Sequence, residues 1–152
     1  RPAFRARRHS VPTADGGQWE YACRAGSTTH YYWGDRWDPA YCDFDEDTKT
    51  RNQDVIKVAG KIPQTAEVGT RKPNSWGLYD MMGNVKEWCE DAYAPYQAGD
   101  LVDPLPVTKG HSRIARGGCW GSDAGWTSST RGITQTPYDG NGFRVVRVIP
   151  HN

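Results

Sequence analysis

The most regular pattern of apolar and polar positions lies in residues 74–88, which we call the hub. An aromatic and aliphatic run follows a turn signal at Pro73-Asn74 and ends at Gly83-Asn84. Glycine adopts positive φ without steric cost and asparagine tolerates it better than most residues, so this pair predicts a sharp reversal. Alternation then predicts a strand with two faces, namely Val85, Glu87 and Cys89 against Lys86 and Trp88.

A short helix is predicted near the start of the chain. Thr13 or Asp15 is a candidate N-cap, and the helix runs to about Cys23 with Trp19 and Cys23 facing inward. Two glycines at 16–17 have low helix propensity. We therefore expect a frayed or shifted helix start.

Two further strands are predicted after the hub. Residues 112–116 alternate with Ile114 inward, and residues 142–149 alternate as a last strand. Between them, residues 119–141 are rich in glycine, serine and threonine and show no period. We expect a long surface loop there, and loops of that length in compact domains usually carry function. Residues 55–62 predict a short strand or an irregular arm.

The composition fits one domain with a single core. Hydrophobic residues are 36% of the 152 residues, below the usual share, and seven Trp and eight Tyr compensate because each aromatic buries a large area. Residues 1–11 are basic and unpatterned, so we predict a solvated tail there and one domain at 12–152. A loop-rich domain of this kind usually needs an additional stabilising element, such as bound calcium or a disulfide.

Charge and hydropathy exclude several classes of function. A net charge of +1, from 19 basic and 18 acidic residues, gives no argument for nucleic-acid binding. No run is long enough for a membrane helix and no signal peptide is visible, which leaves the localisation unknown because a missing signal does not exclude secretion. The four cysteines contain no CxxC pair, and their even number permits two disulfides.

Asp80 and Glu87 flank the hub reversal. Carboxylates on both sides of a tight turn, with backbone carbonyls between them, suit Ca²⁺, which takes roughly six to eight oxygen ligands in irregular geometry. The spacing alone equally permits a simpler arrangement. In that alternative Asp80 caps a turn and Glu87 pairs with a lysine or an arginine.

The hub resembles the hallmark segment of the formylglycine-generating enzyme family, also called sulfatase-modifying factors. Further motifs follow in the family's order: Pro12-Thr13 with Trp19 to Gly26, Tyr32-Trp33-Gly34-Asp35, Arg116-Gly117-Gly118-Cys119-Trp120 and Gly142-Phe143-Arg144-Val145-Val146-Arg147. The resemblance implies an irregular, loop-rich α+β fold of the C-type-lectin-like kind, with short antiparallel strands and few helices. Family members carry a further segment before the match to Pro12. The fold is therefore either truncated here or completed by another chain.

The resemblance also implies structural calcium. It places one ion at the hub. The ligands of a second ion begin in the acidic loop after Cys42. The alternative for that loop is an ordinary solvated segment. The implied metal ligands are the side chains of Asp80 and Glu87 and the carbonyls of Gly83 and Val85 for the first ion, and Asp43 and Phe44 for the second.

The family's oxidase chemistry implies a copper ion held by two cysteines in a C-x4-C motif. Cu(I) prefers soft thiolates, and the matching positions here are Ser122 and Thr127, whose hydroxyls do not suit it. No cysteine follows Cys119, so copper is not expected. The family disulfide that the resemblance gives to Cys23 also has no partner in that region.

Two classes of function stay open, and the missing copper pair favours the first. The first is a non-catalytic module that binds an unknown protein or small ligand through the 119–141 loop. Proteins related by fold are diversified by retroelements in this segment. The second is an oxidoreductase that acts on a cysteine or other sulfur substrate. An ordinary solvated loop is the alternative to a binding surface. Small polar residues interleaved with aromatics suit adaptable recognition, and the candidate surface is Ser122, Asp123, Trp126, Thr127, Ser129, Thr130, Arg131, Thr134, Gln135 and Tyr138.

Overall fold

The computed structural model describes residues 13–43, 65–95, 109–120, 132–134 and 140–147, and at 132–134 it describes the backbone only. Within these ranges one helix and four strands form an α+β fold, which confirms the expected class. The elements are α1 (Gly16–Arg24), β1 (Lys86–Ala92), β2 (Arg113–Arg116), β3 (Gly132–Thr134) and β4 (Asn141–Phe143).

The four strands form one sheet in the order β3-β2-β1-β4. β1 pairs antiparallel with β2, placing Glu87 opposite Arg116, and β2 pairs antiparallel with β3. β4 runs parallel to β1, with Phe143 in register with Trp88. The predicted two-faced strand after the hub is confirmed, since Glu87 is buried on the side that faces α1 whereas Trp88 is only half-buried.

The helix α1 begins at Gly16 and is capped by Asp15, one of the two candidate N-caps, so of the expected frayed or shifted start only the fraying is wrong. The Asp15 side chain accepts a hydrogen bond from the Gln18 backbone N–H at 2.8 Å, and the Gln18 side chain accepts one from the Asp15 N–H at 3.3 Å. These reciprocal bonds form a capping box and offset the poor propensity of the two glycines. Gly16 is also anchored by its own N–H, which donates to the Asp91 carboxylate of β1.

The core lies between α1 and the sheet, under the hub. Its most buried large side chains are Trp19 from α1 and Met81 and Met82 from the hub. Ile114 packs into the same cluster from β2, as its alternation predicted. Arg116 is 3% exposed and ties β2 to α1 by donating to the Gly16 carbonyl at 3.1 Å.

Two predictions for the last third of the chain need correction. The 119–141 segment is not all loop, because Gly132–Thr134 forms β3 against β2. The last strand ends at Phe143 rather than 149, because Val145 bridges Thr13 before α1 instead of continuing along β1. The predicted arm at 55–62 lies outside the described residues. In the described ranges, no helix has the length and apolar character needed to cross a membrane.

Candidate functional site

The hub reversal is clamped from both sides by backbone hydrogen bonds. Gly83 and Asn84 have φ values of 80° and 60°, which confirms the sharp turn predicted for this pair. The Gly83 N–H donates to the Gly117 carbonyl and the Asn84 N–H donates to the Asp43 carbonyl, each at 2.8 Å. The Asn84 carbonyl in turn accepts from the Trp120 N–H at 2.9 Å. The hub therefore holds together two segments that are distant in sequence.

Two buried asparagines organise the hub, and sequence reasoning missed both side chains. The Asn74 amide donates to the Ala22 carbonyl of α1 at 2.8 Å, and its oxygen accepts from the Leu78 N–H at 3.0 Å. The Asn84 amide exchanges two 3.1 Å bonds with the backbone of Ala66. A polar residue next to each hub turn was the available signal, because buried amides must find hydrogen-bond partners.

Glu87 is buried at the centre of a charged network. It is 5% exposed, and its Oε2 accepts from the Trp19 indole N–H at 2.6 Å. The Arg144 guanidinium donates from Nη2 to Oε1 at 2.7 Å and from Nε to Oε2 at 3.0 Å. Arg144 Nη2 also donates to the Tyr79 carbonyl at 2.9 Å. Both oxygens of the Glu87 carboxylate thus accept hydrogen bonds from the Arg144 guanidinium, and Oε2 also accepts one from the Trp19 indole.

The other predicted calcium ligands with carboxylates also have partners. Asp80, at φ 54°, accepts from the Gly69 N–H at 2.6 Å. Asp43 accepts from Arg71 Nη2 at 2.6 Å, and Arg71 reaches the Pro39 carbonyl from Nη1 at 3.1 Å. Phe44 lies outside the described residues. Each described carboxylate of the predicted calcium ligand set therefore accepts a hydrogen bond from the protein itself.

These contacts do not fit a cation cage around the Glu87 carboxylate. A divalent ion bound there would face the fixed positive charge of Arg144 at close range, and Asp43 has the same relation to Arg71. In the part of the chain that the structure describes, no group of three or more His, Cys, Asp or Glu side chains could hold a metal ion. The calcium ligand set stays a prediction. The contacts match the simpler alternative, in which Asp80 accepts a turn N–H and Glu87 pairs with an arginine.

All four cysteine side chains are buried. All four cysteines lie in described segments, and none is joined in a disulfide there. Burial raises the pKa of both Cys23 and Cys89 to about 12, and it also raises the pKa of Cys42. Since the thiolate is the nucleophile and the metal ligand, these three side chains stay protonated and unreactive near neutral pH. Cys119 is 4% exposed beside the hub clamp.

The candidate binding surface lies almost entirely outside the described residues. Thr134 is the exception, and the structure places its backbone in β3 opposite Arg113. The members outside the described residues are Ser122, Asp123, Trp126, Thr127, Ser129, Thr130, Arg131, Gln135 and Tyr138.

A short helix packed on a four-stranded sheet, with a glycine turn clamped at the centre, defines a class of loop-rich α+β domain similar to the formylglycine-generating enzymes. Treponema denticola variable protein 1 has this fold, with a TM-score of 0.64 and 26% identity over 86% of this chain and 45% of that one. The family model described as "Sulfatase-modifying factor enzyme 1-like domain" matches residues 7–149. The chain belongs to this sulfatase-modifying factor family.

Two relatives show the range within the family. The formylglycine-generating enzyme of Streptomyces coelicolor is 35% identical over 109 residues, which are 68% of this chain and 34% of that enzyme. The "Inactive C-alpha-formylglycine-generating enzyme 2" of Mus musculus is 30% identical over 136 residues, which are 88% of this chain and 38% of that protein. The chain thus spans little more than a third of either relative.

Proposed function

We propose that this chain is a non-catalytic member of its family that binds a ligand through the 119–141 loop. One observation carries the proposal: no cysteine follows Cys119, and Ser122 and Thr127 stand at the positions of the copper-binding pair. Hydroxyls are poor Cu(I) ligands, so the oxidase would lack its metal. The buried, protonated thiols of Cys23 and Cys89 offer no replacement pair.

The relatives support this proposal from two directions. The mouse protein is named as inactive, and it matches more of this chain than the Streptomyces enzyme does. The Treponema protein is named as variable, and its fold is similar over most of this chain. The 119–141 segment is rich in small polar and aromatic residues, a composition that suits adaptable recognition.

The first test is catalytic. We expect no aldehyde product, by mass spectrometry, when the chain is incubated with a cysteine-bearing sulfatase-type peptide, oxygen and Cu(I). The physical reason is the missing thiolate pair, because oxygen activation requires the bound metal. The Streptomyces coelicolor enzyme under the same conditions serves as the positive control. Conversion of the peptide by this chain would contradict the proposal.

The second test is binding. The chain is screened against peptide and glycan arrays, and hits are measured again with a Trp126→Ala, Tyr138→Ala double variant. We expect the variant to keep its melting temperature and to lose affinity roughly tenfold or more, because interface aromatics dominate binding energy. Tyr21→Ala, an aromatic 70% exposed on α1, is the matched control and should bind normally. Equal affinities for the loop variant and the parent would contradict a role for the loop.

An oxidoreductase acting on a cysteine or other sulfur substrate is the second candidate, and the 35% identity to the Streptomyces enzyme favours it. Elemental analysis separates the two candidates. Stoichiometric copper or iron in the purified chain supports the enzyme, whereas their absence together with array binding supports the module.

The proposed partners also include a polypeptide that completes the fold. The support is that this chain covers 45% of the Treponema protein, so that fold contains about as much chain again. Phe143 is 67% exposed and Val145 is 56% exposed, which leaves apolar surface that such a segment would cover.

A further inference from the structure

We propose that at the hub the Arg144 side chain takes the place of the calcium ion that the family resemblance implies, so that the Glu87 carboxylate is neutralised by a guanidinium and not by a metal. This inference concerns how the fold is held together and is independent of the proposed binding function.

Arg144 contacts oxygen atoms of the two kinds that a calcium ion would bind. The guanidinium contacts one buried carboxylate, Glu87, through two hydrogen bonds of 2.7 and 3.0 Å, and one backbone carbonyl, that of Tyr79, at 2.9 Å. A hub calcium ion would likewise bind carboxylates and turn carbonyls. Paired N–H bonds to a carboxylate are among the strongest protein hydrogen bonds because both partners are charged. The arginine therefore satisfies the Glu87 carboxylate of the predicted ligand set, together with the neighbouring hub carbonyl of Tyr79.

A metal ion and this guanidinium would compete for the same carboxylate. Calcium bonds to oxygen at roughly 2.3–2.6 Å, which would bring the ion close to the Arg144 nitrogens that already contact Glu87. Two like charges at that range repel each other, and the repulsion is screened only in part, because Glu87 is 5% exposed and the Arg144 side chain is 31% exposed. The third donor, the Trp19 indole, also points at Oε2. An ion at Glu87 would have to displace these protein donors. In the structure the Arg144 and Trp19 donors contact the carboxylate.

An arginine also contacts the first carboxylate of the second predicted calcium site. Asp43 pairs with Arg71 at 2.6 Å, and Arg71 also donates to a backbone carbonyl, that of Pro39. Asp43 is joined to the hub, because its carbonyl accepts from the Asn84 N–H. Two independent carboxylates of the predicted calcium sets thus have an arginine that binds one carboxylate and one carbonyl. The second pair is less buried than the first, with the Arg71 side chain 35% exposed and the Asp43 side chain 23% exposed.

The linkage joins three separate segments. Arg144 follows β4, Glu87 lies in β1, and Tyr79 lies in the hub run before the glycine turn. Through Glu87 the network reaches Trp19 of α1. A metal-free link of this kind keeps the hub assembled whatever the calcium concentration.

The test measures melting temperature against calcium for the parent and for Arg144→Gln. We expect the parent to melt at the same temperature in chelator and in millimolar CaCl₂. Arg144→Gln should melt lower in chelator and recover on adding calcium, because the vacated Glu87 carboxylate becomes available to the ion. Arg147→Gln removes an exposed arginine from the same segment and is the matched control; it should behave as the parent. Arg144→Lys keeps the charge and should gain little calcium response.

Two results would overturn the inference. The first is a parent whose melting temperature falls in chelator and whose calcium response disappears in Glu87→Gln. The second is a folded Arg144→Gln protein with no calcium response, since its carboxylate would then not be a cation site. If Arg144→Gln does not fold, calcium binding to the parent protein is measured by equilibrium dialysis. A bound ion that is lost in Glu87→Gln refutes the inference. The absence of a bound ion supports it.

Discussion

Replacing Gly83 with alanine should lower the free energy of unfolding by about 2–5 kcal/mol, the sum of positive-φ strain and overpacking. A Cβ at Gly83 would lie 2.6 Å from the Asp43 carbonyl oxygen and 2.6 Å from the Cys42 sulfur. Neither neighbour can move easily, because the Asp43 carbonyl accepts the Asn84 N–H and Cys42 is 2% exposed. The substitution therefore combines an unfavourable backbone conformation with a contact that no real Cβ tolerates.

Gly77 offers a matched control within the hub. Its φ is 79°, against 80° for Gly83, and a Cβ there meets nothing within 4 Å. Gly77→Ala should therefore cost only the conformational part, about 1–2 kcal/mol. Urea unfolding of both variants measures the difference. Equal losses would mean that the hub does not pack against residues 42–43 as closely as the structure shows.

The hub was predictable because its signals are local. Gly83-Asn84 requires no distant residue to indicate a reversal, and the alternation after it fixes which side of β1 is buried. The cap of α1 was equally local, since Asp15 and Gln18 are three residues apart, but the expectation gave more weight to the glycines that follow. Helix propensity is a weak guide where a capping box is available.

The missed features depend on distant partners. β3 has only three residues, too few to show a period, and it exists because Ile133 pairs with Ile114 of β2. The Arg144–Glu87 pair spans 57 positions along the chain. Spacing alone did indicate a pairing of Glu87 with some cation, yet it contained nothing to choose between an arginine and a metal. That choice depends on which side chain the fold brings to the buried carboxylate, and therefore on tertiary structure.

Trp19→Ala should cost about 3–5 kcal/mol of stability, because a nearly fully buried indole leaves a cavity. Trp19 is 2% exposed in the centre of the core cluster.

Trp19→Phe separates the loss of ring volume from the loss of the hydrogen bond. It keeps most of the apolar contact and removes the N–H that donates to Glu87, so we expect it to cost about 1.5–3 kcal/mol, the range for a hydrogen bond to a charged group. Chemical unfolding followed by far-UV circular dichroism measures both losses.

A double-mutant cycle shows whether the Trp19 bond belongs to the Glu87 network. Trp19→Phe should cost less in a Glu87→Gln background than in the parent, because the indole then loses a neutral partner instead of a charged one. Trp76→Ala is the control for losing a tryptophan as such; its side chain is half-exposed, so the loss should be small. Additive costs for Trp19 and Glu87 would mean that the indole serves only to fill space. A coupling between them would show that α1 is linked to β1 through the Glu87 carboxylate.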